Sequence, residues 1–356
     1  MRKCMSISKL LRLIALVLAL ALLPVFALAE DSTGDDGWVT FFLMCNEGMT
    51  NEGNNVGNTI MLVAMNPDMG KINLMMFTWD TFVQYEGYDL PQLISTPYRN
   101  NGPEGTMEVF NQNFDMDIKN YMSLNYLNLA SLIDAFGGVT VDISRAERNA
   151  LNGMVASKKW ALEQMAGSGL LNQLAIELLA SEYYLEDYGP ETHLNGLQAV
   201  GFGWLQYDSV YNCCLREIAI NSHLFNSIAT SISDKVVFYT DEAEVPEVTD
   251  NRRIIDLDEM TDDDVAYLRE LVDPIFQMSY NNLSEEDIIG ISTTLARVGY
   301  QASRQGVNIF ESLDCSVFPL EAKNEYDIVG GTEGHLVDYA ANAAEMKAFL
   351  YSDSND

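Results

Sequence analysis

The stretch FTWDTFV, residues 77–83, places a carboxylate directly after a bulky indole at the end of an apolar run. Asp80 in this position can accept hydrogen bonds or hold a divalent cation. A chain that handles phosphate needs cationic side chains at such a point, and Trp79 supplies none. An indole face suits a sugar ring or a lipid chain instead. The stretch therefore indicates either a site for a neutral ligand or a former pocket filled by its own aromatic side chains.

The common catalytic signatures are absent from the sequence. It contains no G-x-S-x-G, no P-loop, no H-E-x-x-H and no dinucleotide fingerprint. His193, His223 and His335 are scattered, and each is interpreted as a helix-end or surface residue. The four cysteines after the first 29 residues are even in number but have neither C-x-x-C nor zinc spacing. Their pairing stays open at this point.

The charge of the chain excludes several classes of partner. The 356 residues carry 20 Lys+Arg against 52 Asp+Glu, a formal net charge of −32. Without the first 29 residues the balance becomes 16 Lys+Arg against 52 Asp+Glu, or −36. A surface this acidic repels nucleic acid, whose binding requires cations that neutralise phosphates. It also repels anionic membranes and anionic wall polymers.

The N-terminal residues predict export from the cytoplasm. Four cations among the first twelve residues precede an apolar run at 13–23, and an A-x-A motif follows at 27–29. The run is short for a membrane span, which needs about 20 residues. A cleaved signal peptide over residues 1–29 is the main interpretation, and an uncleaved signal anchor is the alternative. Membrane contact is expected only through such an uncleaved segment.

The apolar patterning predicts a layered α/β domain. WVTFFLMC reads as a buried strand, and TIMLVAMN and KINLMMFT read as a β-hairpin around a Pro-Asp-Met-Gly turn. IKNYMSLNYLNLASLIDAF, residues 118–136, has the apolar spacing of one helix, and HLNGLQAVGFGWLQ has that of another. Thr261 and Ser284 are predicted helix N-caps, and Gly306 a helix stop.

The predicted domain organisation is simple. Residues 30–36 form an acidic leader, residues 37–351 one large domain, and residues 352–356 a polar tail. A mostly helical stretch at about 150–188 reads as an insertion in that domain. Strands and helices alternate without repeats, which indicates a mixed β-sheet flanked by helices on both faces.

Several motifs in the same order resemble the LytR-CpsA-Psr (LCP) family. TIMLVAMNPDMGKINLMMFTWDTFV is similar to that family's strand–turn–strand, which ends in Arg-Asp-Thr. The DAFGGV turn, the HLNGLQAVGF helix start, NNLSEEDIIGI and the tail HLVDYAANAAEMKAFLY follow in the family's order. The resemblance covers roughly residues 37–351. It implies an extracytoplasmic bacterial protein that transfers glycopolymers from a polyprenyl-pyrophosphate carrier to peptidoglycan.

Such a transferase holds pyrophosphate with arginines and with Mg²⁺ on carboxylates. On the positions that match the family's motifs, this chain departs from that set. Asn58 replaces a metal-binding aspartate, so that Asp80 is the one weak candidate for Mg²⁺. One arginine is retained, Arg216, next to Glu217. Neutral residues stand at the positions where arginine is expected: Met49, Val56, Trp79, Trp204, Gln206 and Cys213.

The resemblance thus implies a degenerate active site. Asp80 and Arg216 are the candidate catalytic residues. Candidate ligand-binding residues are Glu47, Asn58, Trp79, Trp204 and Gln206. Because loss of one electrostatic contact costs about 10²–10³ in rate, loss of six favours a non-catalytic protein that binds a cell-wall glycan or polyprenyl-linked lipid. The alternative is a working phosphotransferase that relies more on its metal.

Overall fold

Strands and helices alternate along the chain in a computed structural model. It describes residues 37–46, 57–166, 184–205, 208–240, 250–306, 313–319 and 324–352. The described strands are β1 Val39–Asn46, β2 Gly57–Asn66, β3 Lys71–Phe77, β4 Phe82–Val83, β5 Gln92–Leu93, β6 Asn120–Asn125, β7 Val139–Ile143, β8 Gly189–Leu194, β9 Val236–Tyr239, β10 Arg253–Asp256, β11 Tyr280–Asn281, β12 Leu313–Phe318, β13 Asn324–Val329 and β14 Thr332–Val337. The described helices are α1 Ser95–Phe114, α2 Tyr126–Ala135, α3 Arg145–Ala166, α4 Gly196–Gly203, α5 Val210–Ser233, α6 Asp262–Met278, α7 Glu285–Gln305 and α8 Tyr339–Leu350.

A six-stranded mixed sheet lies at the centre, in the order β11-β6-β1-β2-β3-β12. The predicted hairpin is confirmed, because β2 pairs antiparallel with β3 and Asn66 faces Lys71 across the turn. β1 pairs antiparallel with β2 and parallel with β6, and β3 pairs parallel with β12. The prediction of a single α/β domain with a mixed sheet is confirmed.

Helices cover both faces of the sheet, so the central strands are apolar on both sides. Alternate residues of β1 belong to two different cores: Phe41 and Leu43 face one, and Phe42 and Met44 face the other. The first core is built against α2–α7, and the second against α1 and α8. This two-sided burial explains why the first strand reads as a continuous apolar run.

The single helix predicted over residues 118–136 is wrong in its first half. Residues 120–125 form β6, which pairs with β1 on one side and β11 on the other. The helix begins only after Asn125, whose side chain accepts a hydrogen bond from the Asn128 N–H. Because β6 is buried on both faces, its apolar residues do not alternate, and the pattern resembles a helix.

The predicted helix ends agree with the structure. Thr261 and Ser284 each complete a capping box, with Asp264 and Asp287 respectively, and α7 ends at Gly306 with a left-handed backbone. The insertion predicted at about 150–188 begins inside α3, and its residues 167–183 lie outside the described part. The predicted domain boundaries stay predictions. None of the helices in the described ranges combines the length and apolar character that a bilayer crossing requires.

The start of α4 is locked against α2. A Cβ atom on Gly196 would lie 1.7 Å from the carbonyl oxygen of Ala130, so only glycine allows this approach. The Asp134 carboxylate accepts a hydrogen bond from the Gly196 N–H at 2.7 Å, and the Asn195 side chain caps the helix. Asp134 and the Leu-Asn-Gly motif that ends at Gly196 therefore form one contact between α2 and α4, which we call the joint. Because the joint fixes the start of α4, it also fixes the position of the other end of this short helix.

We expect Gly196→Ala to lower the free energy of unfolding by about 3 kcal/mol, the upper end of overpacking costs, because backbone must move to admit the methyl group. The matched control is Gly153→Ala in α3, where a Cβ would meet nothing within 4 Å. That change should stabilise the protein by about 0.5–1 kcal/mol through helix propensity. Urea denaturation measures both. Equal effects of the two substitutions would contradict the proposed joint.

Candidate functional site

Asp80 lies in the turn that follows β3 and is buried, with 3% of its surface exposed. Its backbone carbonyl accepts a hydrogen bond from the His335 N–H at 2.8 Å. One side-chain oxygen, Oδ2, lies 3.9 Å from His335 Nε2. The other oxygen, Oδ1, is buried and has no hydrogen-bond partner. The indole Nε1 of the neighbouring half-buried Trp79 is likewise buried and without a partner. Two consecutive residues thus each carry a buried polar atom, one donor and one acceptor, with unused hydrogen-bonding capacity.

A second buried carboxylate lies on α5. Glu217 is 4% exposed and bonds to Thr59, while its Oε2 is buried without a partner. Trp204, at the end of α4, directs its Nε1 toward the same threonine over a long contact of 3.4 Å. Burial raises the pKa of Glu217 to about 8, against an ordinary value of 4.5. The side chain is therefore largely a neutral acid at pH 7.

Cys214 shows that these two regions converge. Burial raises the pKa of its thiol, and electrostatic interaction with the carboxyl groups of Glu217 and Asp80 raises that pKa further. Its Sγ also lies 4.0 Å from the carbonyl oxygen of Phe77, at the end of β3. The segments that carry Trp79 and Trp204 therefore meet at the same end of the sheet. The four cysteines in the described part, Cys45, Cys213, Cys214 and Cys315, form no disulfide bond with one another.

Arg216 is held by other partners. Its Nη2 donates to both oxygens of Asp208 at 2.8 Å, its Nε donates to Glu147 at 3.0 Å, and its Nη1 donates to the Leu205 carbonyl at 2.7 Å. The guanidinium is 6% exposed. Desolvation opposes ionisation of Asp208, but hydrogen bonds from Arg216 and its neighbours lower the pKa of that carboxyl to about 2. The one retained arginine is thus part of a tight ion-pair group that ties α3 to α5.

The structure describes only some of the predicted site residues. Trp79, Asp80 and Trp204 border one region, and Arg216 lies between Cys214 and Glu217 on α5. Asn58 lies in β2, beside Thr59, but its side chain is not described. Glu47 and Gln206 lie outside the described residues. Their roles, like those of the other candidate site residues, stay predictions.

His335 is the neighbour of Asp80 that sequence reasoning missed. It lies in β14, where a Cβ on the preceding Gly334 would come within 2.3 Å of the Asp80 carbonyl oxygen. Thr81 forms an isolated parallel bridge with His335, and the ring of Tyr326 packs edge-on against the imidazole at 4.9 Å. Nothing local to the sequence of this hairpin signals the contact, because its partner is distant along the chain.

The described side chains fit Mg²⁺ poorly. The ion is usually held in near-octahedral geometry by one or two carboxylates together with substrate phosphates. Asp80 offers one carboxylate, and it lies next to an imidazole. Within the described ranges, no group of three or more His, Cys, Asp or Glu side chains is placed to hold a metal ion. The expectation of Mg²⁺ on Asp80 stays a prediction, and no step is derived through it.

The chemistry available here is that of hydrogen bonding and apolar contact. Two buried acids, one imidazole and two indoles border the region, while the retained guanidinium is saturated by its own carboxylates. Such a set can bind hydroxyl groups and apolar surfaces. It lacks the cationic clamp that stabilises charge on a transferring phosphoryl group.

Comparison with known proteins identifies relatives at two levels. The sequence model of the LytR_cpsA_psr family matches residues 29–209. A polyisoprenyl-teichoic acid–peptidoglycan teichoic acid transferase, TagU of Halalkalibacterium halodurans, is 28% identical over 89 residues. That match covers 25% of this chain and 29% of the relative, so it spans less than a third of the relative's length.

Two solved structures from Bacillus subtilis share the fold. TagV superposes with a TM-score of 0.56 at 13% identity, covering 89% of this chain and 97% of the other. TagT superposes with a TM-score of 0.54 at 12% identity, covering 92% and 95%. At such identities the likeness establishes the fold alone.

For Glu217→Gln we expect a pH-dependent gain in stability. Between the ordinary pKa of 4.5 and the folded value of about 8, the folded state holds a proton that the unfolded state has released. Stability of the unmodified protein therefore falls as pH rises through this window. The isosteric amide removes this contribution, so the variant's advantage should grow by a few kcal/mol, an order-of-magnitude estimate.

Urea denaturation at a series of pH values measures this difference between Glu217→Gln and the unmodified protein. Glu163→Gln, an exposed position on α3, is the control and should give a difference that does not change with pH. An equally flat difference for Glu217→Gln would show that the buried carboxyl is not protonated in the folded protein.

Proposed function

The chain belongs to the LytR_cpsA_psr family, and from this premise we propose that it is a non-catalytic member that works in a bacterial cell envelope. The region bordered by Trp79, Asp80, Trp204 and Glu217, which we call the cleft, would bind a neutral part of a glycan or of a polyprenyl lipid carrier. The protein would act there as a binding or scaffolding component and would not transfer a phosphoryl group.

The observation that carries this proposal is the position of Arg216. At the positions that match the family's arginine motifs, Arg216 is the one arginine that this chain retains. Its guanidinium already contacts Glu147, Asp208 and the Leu205 carbonyl. Among the described residues, no lysine or arginine pairs with Asp80 or Glu217; the imidazole of His335 lies beside Asp80, with Nε2 3.9 Å from Oδ2. A pyrophosphate at this end of the sheet would therefore meet carboxyl groups without an opposing cation.

The electrostatic cost of that encounter is large. At an effective dielectric of about 20, two like charges about 4 Å apart repel by about 4 kcal/mol. An ionised Asp80 would impose such a penalty on each phosphate charge that approached it. Burying Asp80 without a cation favours a neutral ligand for the same reason.

The unpartnered polar atoms support hydrogen bonding to such a ligand. Buried donors and acceptors normally have partners, and Trp79 Nε1, Asp80 Oδ1 and Glu217 Oε2 have none among the described residues. A hydroxyl group can donate to a carboxylate and accept from an indole N–H. Trp204 is 6% exposed and belongs to the core cluster, so it would serve as an apolar wall.

The second candidate function is an active glycopolymer phosphotransferase. Asp80 matches the aspartate of the family's Arg-Asp-Thr and keeps an unpartnered oxygen, as an ion-binding carboxylate would. The relative TagU carries the name of a teichoic acid transferase that acts on peptidoglycan, which supports a glycopolymer-related role in general. Under this alternative, a metal would replace the missing arginines.

The extracytoplasmic location is inferred from the sequence. The predicted signal segment, residues 1–29, lies outside the described part of the chain. The name of TagU, which joins teichoic acid and peptidoglycan, supports a place in the envelope. The charge of −36 after residue 29 is consistent with an exported protein that does not bind nucleic acid.

Calorimetric titration with a polyprenyl pyrophosphate, with and without Mg²⁺, tests the proposal. We expect no saturable binding by the unmodified protein, because no cation opposes the ligand's charge. Trp79→Arg should create measurable, salt-sensitive binding, since it places a guanidinium beside Asp80 where the family has one. An uncharged polyprenyl alcohol should bind the unmodified protein.

Trp160→Arg is the matched control, because it makes the same change of charge at an indole that is 63% exposed on α3. It should leave pyrophosphate binding undetectable. Mg²⁺-dependent binding of the pyrophosphate lipid by the unmodified protein, or transfer of glycan from it, would overturn the non-catalytic proposal and favour the transferase.

A further inference from the structure

A groove separate from the cleft lies between the loop after β4 and α1. Its volume is about 420 Å³. Tyr85, Tyr88 and Tyr339 line it, together with the amide side chains of Gln84 and Gln112. Aromatic rings combined with side-chain amides, each of which both donates and accepts hydrogen bonds, offer two kinds of contact to one ligand. This composition makes the groove a candidate binding site.

The tyrosines of the groove are fixed in position before any ligand arrives. The rings of Tyr85 and Tyr88 are stacked, with centroids 5.3 Å apart and planes inclined by 17°. Their hydroxyl groups accept hydrogen bonds from two consecutive residues of α1, Asn101 at 3.1 Å and Asn100 at 3.0 Å. Tyr88 nevertheless keeps 45% of its surface exposed. A rigid, exposed aromatic pair loses little conformational entropy on binding.

The backbone beneath the rings is also fixed. Asn113 accepts from the Gln84 N–H and donates to the Gln84 carbonyl, each at 2.8 Å. Tyr339 donates to the Phe82 carbonyl at 3.3 Å. The loop after β4 is thus attached to both α1 and the start of α8. The groove is built from three segments of the chain, and hydrogen bonds tie the loop to each of the two helices.

The lining decides the chemical class of the ligand. No aliphatic side chain and no lysine or arginine is among the described residues that line the groove, and Glu86 is the one charged side chain there. A lipid chain would find no aliphatic side chains to contact in this groove. An anionic polymer would be repelled by the carboxylate of Glu86, which no lysine or arginine in the lining offsets. A pyranose ring has an apolar C–H face for tyrosine and hydroxyl groups for amides. We propose that this groove binds a neutral glycan.

The proposed glycan site goes beyond the function assigned to the cleft, because it lies elsewhere in the fold and uses different residues. Gln84 follows Asp80 by four residues, which span at most about 14 Å. The two sites therefore lie close together in the chain, on either side of the short buried strand β4. Binding at either site can be removed without touching the other, so failure of one proposal leaves the other open to test.

Titration calorimetry with chitohexaose, and separately with cellohexaose, tests the groove. We expect saturable binding of at least one of these neutral oligosaccharides. Tyr88→Ala should raise its Kd about fivefold to tenfold by removing an aromatic contact, whereas Tyr88→Phe should retain most of the affinity. Tyr184→Ala, at a tyrosine that is 58% exposed elsewhere, should leave the Kd unchanged. Circular dichroism confirms that each variant is folded.

Two results would overturn the glycan site: no saturable binding of either oligosaccharide at millimolar concentration, or the same Kd for Tyr88→Ala and Tyr184→Ala. Trp79→Ala separates the two proposals. It should leave oligosaccharide binding in the groove intact while abolishing binding of the polyprenyl alcohol in the cleft. If Trp79→Ala instead removed oligosaccharide binding and Tyr88→Ala did not, the glycan would belong to the cleft and the groove proposal would be wrong.

Discussion

The close approach of α4 to α2 is the constraint on which the site depends. The carbonyl of Ala130 occupies the space that a side chain at residue 196 would fill, so the first residue of α4 must be a glycine. Asp134 then accepts from the first N–H group, where the positive end of the helix dipole favours a carboxylate. From this fixed start, α4 runs for eight residues and delivers Trp204 to the end of the sheet. The position of the indole follows from a glycine and an aspartate that do not touch it.

The region around Asp80 and Glu217 shows how a very acidic chain treats acids that it buries. Asp80 faces an imidazole, and Glu217 is kept protonated by its surroundings. The nearest guanidinium is shared between Glu147 and Asp208, which are less buried. The chain therefore uses this cation to join helices α3 and α5, and leaves the cleft to hydrogen-bonding groups. This distribution of charge is the physical basis for proposing a neutral ligand.

Local features of the sequence predicted the elements that are specified locally. The turn after Asn66 and the helix N-caps at Thr261 and Ser284 depend on residues within a few positions, and all three agree with the structure. The helix predicted over residues 120–125 is wrong, because pairing of this segment with two other strands overrides its helix-like spacing. His335 was interpreted as a surface residue for a related reason. Its contact with Asp80 exists only in the folded chain, so no spacing rule detects it.

The docking of the β13–β14 hairpin has a consequence for how the protein folds. Asp80 and His335 are separated by most of the length of the chain, and contacts of such high sequence separation form late and slowly. The sheet strands β1, β2 and β3 are neighbours in sequence and can pair early. During folding, Asp80 therefore stays hydrated until the β13–β14 hairpin docks. Completion of the surroundings of Asp80 is then a late event in folding, and any role of this carboxylate depends on residues near the C-terminal end of the domain.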